Sequence, residues 1–249
     1  MGTVIVVTSG KGGTGKTAFT GGVGSCLAAL GKRVLCVDMD VGLRNLDISL
    51  GMTDRALMDF TDVIQGRCPL ALAAVEGEIP GLFLLTAPIS RPEPGLDNAG
   101  MRRLLDEARE TFDYILLDSP AGLGEGFRLA RCAADRAVVV STTDASALRD
   151  AQRTVGELTK AVPRIHLVMN RVQPKMLRRL RTTIDDAMDT AGLPLLGVVP
   201  EDPQVLLAAN RGKPLILTSQ KGAAIAYLNI ARRLTGQRVP IMKIRGRIL

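Results

Sequence analysis

The chain has 249 residues, 46% of them hydrophobic and 23% charged, which suits one large α/β domain or two small ones and excludes a disordered chain. Its net charge of +7 favours polyanionic partners, while 3% aromatics and no Trp argue against a base-stacking platform for single strands. No apolar run approaches the roughly 18–20 residues that cross a bilayer, and the first strand-like run lacks the basic segment of a signal peptide, so a cytoplasmic chain with no integral span is expected.

Taken in order, apolar runs predict strands at Val4–Thr8, Arg33–Asp38, Leu82–Thr86, Tyr114–Asp118, Ala137–Ser141, Ile165–Met169 and Leu195–Val199. Helical patterns lie between and after them at Lys16–Leu30, Asn98–Glu110, Ala145–Ala161, Lys175–Ala191, Pro203–Asn210 and Gly222–Leu234. The alternation predicts an α/β fold, a mostly parallel sheet with helices on both faces. The strands are Val/Ile/Leu-rich with little alternation, as burial on both faces requires. Arg91–Gly95 reads as a surface loop. The helical pattern stops near Gly236, which divides the chain into a domain over 1–236 and a basic, apolar tail over 237–249. Cys26, Cys36, Cys68 and Cys132 form no C-x-x-C pair and His166 is the one histidine, so buried reduced thiols are expected rather than a zinc or iron–sulfur site within one chain.

The first strand runs into Lys11-Gly12-Gly13-Thr14-Gly15-Lys16-Thr17 and then a helix. This is the strand–loop–helix context in which G-x-x-x-x-G-K-[ST], with Gly10 and Gly15 as its fixed glycines, means a P-loop. Backbone amides and the helix N-terminus point at an anion, Lys16 reaches the terminal phosphates, and Thr17 places a hydroxyl on Mg²⁺. Lys11 is a second lysine that ordinary P-loops lack; it is a solvated side chain or a cation for phosphate charge, best placed across a dimer. The second strand ends in Asp38-Met39-Asp40, where one acid suits the Mg²⁺ water shell and the other an attacking water. Tyr114–Leu117 ends in Asp118-Ser119-Pro120-Ala121-Gly122, an apolar strand delivering a carboxylate near Mg²⁺. Asn170, Arg171 and Pro200-Glu201-Asp202 end two further strands on the same edge; they read an adenine base or are ordinary turn residues.

Lys11–Thr17, Asp38–Asp47, Asp118–Gly122, Ser146–Asp150 and Gly197–Asp202 together resemble the MinD/ParA ATPases with a deviant Walker A motif, on the MinD side of that family. The similarity runs from Met1 to about Leu234. It implies ATP/ADP and Mg²⁺ as ligands, with Lys11 to Ala18, Asn170, Arg171, Pro200, Glu201 and Asp202 around the nucleotide. Lys11, Lys16 and Asp40 would be catalytic, Asp40 positioning the water. Thr17, Asp38 and Asp118 would serve the metal. It further implies an ATP-dependent homodimer on the inner membrane face, a MinC-type inhibitor acting on FtsZ, and a MinE-type activator or another positional factor. Arg44, Asn45, Ser146, Arg149 and Asp150 would meet partners. Two features depart from the family pattern: Gln152 stands where an acid is frequent, and the tail is short.

In the tail, Ile241, Met242, Ile244, Ile248 and Leu249 gather on one helical arc with Lys243 and Arg247 opposite, an interfacial pattern for anionic lipid. Arg245 falls within the apolar arc, and Gly246 weakens the helix. Lys175, Arg178, Arg179 and Arg181 would suit DNA in a ParA-type segregation ATPase; the inner stripe Met176, Leu177 and Leu180 makes them a solvated helix face instead, and DNA is not the expected partner.

Overall fold

The computed structural model describes residues 1–89 and 97–242. The expected loop at Arg91–Gly95 and the tail positions Ile244, Ile248 and Leu249 lie outside them. The elements in chain order are β1 (Thr3–Thr8), α1 (Lys16–Ala29), β2 (Val34–Asp38), α2 (Leu46–Leu50), α3 (Phe60–Ile64), α4 (Leu70–Ala73), β3 (Val75–Glu76), β4 (Leu82–Leu85), α5 (Asn98–Thr111) and β5 (Tyr114–Asp118). They continue with α6 (Glu125–Arg131), β6 (Arg136–Ser141), α7 (Ala145–Leu158), β7 (Arg164–Val172), α8 (Pro174–Leu180), α9 (Ile184–Ala191), β8 (Leu195–Pro200), α10 (Pro203–Asn210), α11 (Leu215–Thr218) and α12 (Gly222–Leu234).

The strands form one sheet in the order β3-β4-β2-β5-β1-β6-β7-β8. Every pairing is parallel except β3 on β4, a two-residue antiparallel edge. β1 is central, with β2 to β5 on one side of it and β6 to β8 on the other, so the strand order reverses at β1. Such a switch point opens a crevice at the carboxyl ends of the strands, where open α/β sheets bind ligands.

Two apolar layers cover the sheet. Val4, Val6, Leu35, Val37, Ile115, Leu117 and Val139 face one layer, closed by Met101, Leu105, Leu148, Ala151 and Ala187 from α5, α7 and α9. Ile5, Val7, Cys36, Leu84, Leu116 and Val138 face the other, closed by Phe19, Val23 and Leu27 of α1 and by Ala223, Tyr227 and Ile230 of α12. With both faces covered, strand side chains have no solvated side, which is why the strands read as continuous apolar runs.

Three sequence expectations need correction. The helix expected at Lys175–Ala191 is two helices, because Arg181 turns left-handed at φ 51° and Thr183 caps α9 in a reciprocal box with Asp186. The helix expected to reach Ala161 stops at Leu158. Cys26, Cys36 and Cys68 are buried thiols, but Cys132, at the end of α6, is only half-buried. The Arg233 guanidinium donates to the carbonyls of Leu196, Val239 and Pro240, and Met242 packs against the α1–α12 layer.

Candidate active site

The loop between β1 and α1 is built for close backbone approach. Gly13 and Gly15 sit at φ 80° and 86°, conformations that side chains resist. A Cβ at Gly12 or Gly13 would meet nothing, so this stretch borders open space. A Cβ at Gly10 would lie 2.2 Å from the Asp150 carbonyl oxygen, and one at Gly15 2.5 Å from Asn170 Nδ2. The loop is therefore open on its inner side and pressed against α7 and the end of β7 on its outer side.

Long-range side chains brace it. Asn170 is buried and donates from Nδ2 to the Thr14 carbonyl at 2.8 Å. Arg171, left-handed at φ 54°, donates from Nη1 to the Gly13 carbonyl at 3.1 Å and from Nε to Glu201 Oε2 at 2.8 Å. Asp202 accepts from the amides of Gln204 and Ala223, both at 2.9 Å, and so caps α10 and α12 together. Asn170 and Arg171 thus meet the loop, and Arg171 links it to Glu201. The Asn170 amide nitrogen and the Asp202 carboxylate are committed to the backbone, and so are the Glu201 amide, which donates to the Val172 carbonyl at 3.1 Å, and the Asp202 carbonyl, which accepts from the Val205 amide at 3.1 Å.

Two carboxylates lie under the loop. Asp38 and Asp118 face each other across the β2–β5 pairing and are both buried. Asp38 accepts from the amides of Asp40 at 2.9 Å and Leu46 at 3.1 Å, which ties the segment 39–46 to the end of β2. Asp118 receives the Thr20 hydroxyl at 3.1 Å. Burial first, then the nearby Asp38 charge, pushes the Asp118 carboxyl up to about 7, against the pull of Thr17, Lys16 and Thr20. Asp38 is raised for the same leading reason, burial. Asp40 stands half-exposed at the mouth beside them, and Lys16, Thr17 and Ala18 are half-buried at the start of α1.

Lys11 is exposed at the rim. Its Nζ donates to Asp144 Oδ2 at 3.0 Å and to Ser146 Oγ at 2.6 Å, at the N-terminus of α7. Asp144 itself caps α7 through the Ser146 amide. The Ser146 hydroxyl and the Lys11 ammonium hold the Asp144 carboxyl down at about 2. Sequence reading missed Thr20, Asp144 and Ser119, the last buried beside Asp118. Thr20 had a signal, one turn beyond Lys16 on the inner face of α1; Asp144 had only a helix-capping one. Arg149 is exposed and Asp150 half-buried on α7, while Asn45 is exposed and Arg44 half-buried, left-handed and bonded to the Ala87 carbonyl. These partner positions therefore form two patches, on α7 and before α2. Ile241 is exposed and Met242 half-buried.

Chemically, an anion cradle of amides with a lysine beside it adjoins two buried acids and a hydroxyl. Thr14 Oγ1 is buried without a protein partner. Among the described residues no cluster of three or more metal-ligating side chains exists. A hydroxyl with one or two carboxylates suits Mg²⁺, which keeps several waters and takes phosphate oxygens, rather than a metal caged by protein alone.

Residues 5–215 match the family described as the CobQ/CobB/MinD/ParA nucleotide binding domain. The chain is 39% identical over 246 residues to the septum site-determining protein MinD of Synechocystis and to that of Bacillus subtilis, covering 97% of this chain and 92% of each relative. Among solved structures, a chain of the MinC:MinD cell division protein complex of Aquifex aeolicus superposes with a TM-score of 0.89 at 37% identity, over 97% of this chain and 98% of that one. The septum site-determining MinD of Pyrococcus horikoshii, complexed with Mg-ADP, superposes with a TM-score of 0.82 at 28% identity, over 94% of this chain and 96% of that one. Site geometry, sheet order and near-full-length similarity agree: the chain belongs to the MinD/ParA family of nucleotide-binding ATPases, on its MinD branch.

Proposed function

We propose that the chain is an ATPase that dimerises on MgATP, settles on the inner membrane surface and positions a MinC-type division inhibitor. The observation that carries this reading is the pairing of an open amide cradle with a second lysine, Lys11, that points away from its own loop to Asp144 and Ser146 on the rim. A cation so placed serves phosphates presented by a facing subunit.

In this reading the amides of Gly12 to Thr17 and the Lys16 ammonium bind the triphosphate of ATP. Ala18 lies beside it, and Asn170, Arg171 and Pro200–Asp202 enclose the base. Thr17, Asp118 and Asp38 hold Mg²⁺ directly or through water. The metal's contribution is to neutralise charge on the transferred phosphoryl group. Asp40, half-exposed at the mouth, orients the attacking water. Lys11 of each subunit leaves Asp144 and neutralises phosphate charge across the interface. The segment 39–46 is tied to Asp38, so a shift of that carboxylate would be passed to Arg44 and Asn45.

The MinC partnership draws support from the Aquifex complex, whose structure this chain resembles. Ser146, Arg149 and Asp150 on α7, with Arg44 and Asn45, are the surfaces for that inhibitor and for a MinE-type activator; FtsZ is affected through the inhibitor. The tail after Gly236 is the membrane anchor. One tail binds anionic lipid weakly and two in a dimer bind far better through effective concentration, which makes residence depend on ATP. The test is vesicle co-sedimentation and phosphate release for the intact chain and for residues 1–236, with and without nucleotide. The intact chain should sediment with anionic vesicles only with ATP, and the shortened chain should not. Sedimentation without any ATP dependence, beside ATP-dependent and steeply salt-sensitive DNA binding, would contradict the reading.

A further inference from the structure

The positive charge is concentrated at one end of the chain. Nine of the 32 cations and none of the 25 acids lie in residues 203–249. The first 202 residues therefore carry a net −2 and the last 47 a net +9. Such asymmetry marks a polyanion-facing region rather than a generally basic protein.

The fold gathers the described part of this region on one flank. α10, α11 and α12 pack with α1 and α2, burying Ala208, Leu215, Ala223, Tyr227 and Ile230 in the second apolar layer. The outward side is not the polar face that a solvated flank would carry. Leu206 is 68% exposed, Leu217 51% and Leu207 42%. Arg211 and Lys221 stand exposed among them, and Lys213 pairs with Glu78 at 2.7 Å. Met242, where the described chain ends, packs against the same apolar layer of the sheet.

We propose that the α10–α11 surface is a second membrane contact, seated on anionic lipid in addition to the tail. This proposal rests on the membrane reading given above. Leu206, Leu207 and Leu217 enter the headgroup boundary, and Arg211 and Lys221 hold lipid phosphates around them. A bilayer satisfies the leucines and the cations together. A nucleic acid would satisfy the cations alone and leave the leucines against solvent.

The test uses the full chain with MgATP and phosphatidylglycerol–phosphatidylcholine vesicles, comparing Leu206→Ser/Leu217→Ser, Arg211→Glu/Lys221→Glu and the chain ending at Gly236. Each double variant should lose at least about tenfold in apparent vesicle affinity, with its lipid-free ATPase rate unchanged, since each cation near an anionic surface is worth about fivefold and buried leucines a similar factor. Parent-like vesicle affinity in either double variant overturns the proposal; if the shortened chain still loses binding, the tail anchor stands without it. Failure of the intact chain to bind vesicles removes both readings. A charge variant that keeps vesicle binding but loses DNA retention would give the surface to nucleic acid.

Discussion

Lys11 and Asp144, 133 residues apart in sequence, form an ion pair at 3.0 Å on the rim of the phosphate loop, with the Ser146 hydroxyl completing the contact. Both side chains are about half exposed, so the pair contributes little to folding. Its consequence is competitive: an ammonium held by Asp144 is not free to serve a facing subunit. Asp144→Asn retains an oxygen to cap α7 while removing the charge. An exposed pair of this kind is worth about 0.2–1 kcal/mol, so the variant should dimerise with ATP up to about fivefold more tightly at nearly unchanged stability. Analytical ultracentrifugation in the Asp40→Ala background, where turnover should be slowed, measures this. Weaker dimerisation would show that Asp144 supports Lys11 in the dimer rather than restraining it.

Asp118 makes the nucleotide-free protein sensitive to pH. Its carboxyl is raised from 3.8 to about 7, mainly by burial. Between those values the folded state holds a proton that the unfolded chain has released, so the group's contribution favours folding below about pH 4 and is lost as pH rises through 7. Asp118→Asn should therefore raise the stability of the nucleotide-free protein at pH 8, by on the order of 1–3 kcal/mol, and flatten its pH dependence between 5 and 8. The same variant should lose the additional stabilisation that Mg²⁺ gives in the presence of ATP. Thermal melts across pH, with and without MgATP, read both effects. Equal pH profiles for parent and variant would place the charge of Asp118 outside the folding balance.

A substitution at Asp40 should separate binding from hydrolysis. It is half-exposed at the mouth, and its amide, not its carboxylate, is engaged by Asp38. Asp40→Ala should bind ATP within about threefold of the parent while turnover falls by about 10² or more, the usual contribution of a positioned proton-transfer or water-orienting group. Vesicle binding with ATP should persist. An unchanged rate would remove Asp40 from the mechanism.

What was legible in the sequence was what lies close together in it. Gly10 to Thr17 could be read because strand, loop and helix follow one another without interruption, and the acids ending β2 and β5 because an apolar strand closing on Asp is itself a local pattern. The break between α8 and α9 was missed because the cap is Thr183 with Asp186 rather than the more familiar Glu, and because Arg181 takes a turn usually given to glycine. The short α3, capped by Asp59 and Asp62, escaped for the same reason, and β3 because two residues on a sheet edge carry no period. The braces of the site were not legible at all. Asn170 reaches Thr14 across 156 residues, and the need for glycine at position 10 comes from the backbone of Asp150. These contacts exist only once β1, β7 and α7 are placed side by side.

If the loop after β1 holds the triphosphate of ATP, Lys16 supplies one of its charged contacts. Titration calorimetry of MgATP into Lys16→Ala, paired with phosphate release, tests it most directly. Loss of a charge-assisted contact to phosphate is worth about 1.5–3 kcal/mol, so affinity should fall by at least about tenfold and turnover should disappear. A variant that binds and hydrolyses MgATP as the parent does would mean that this loop does not hold the triphosphate.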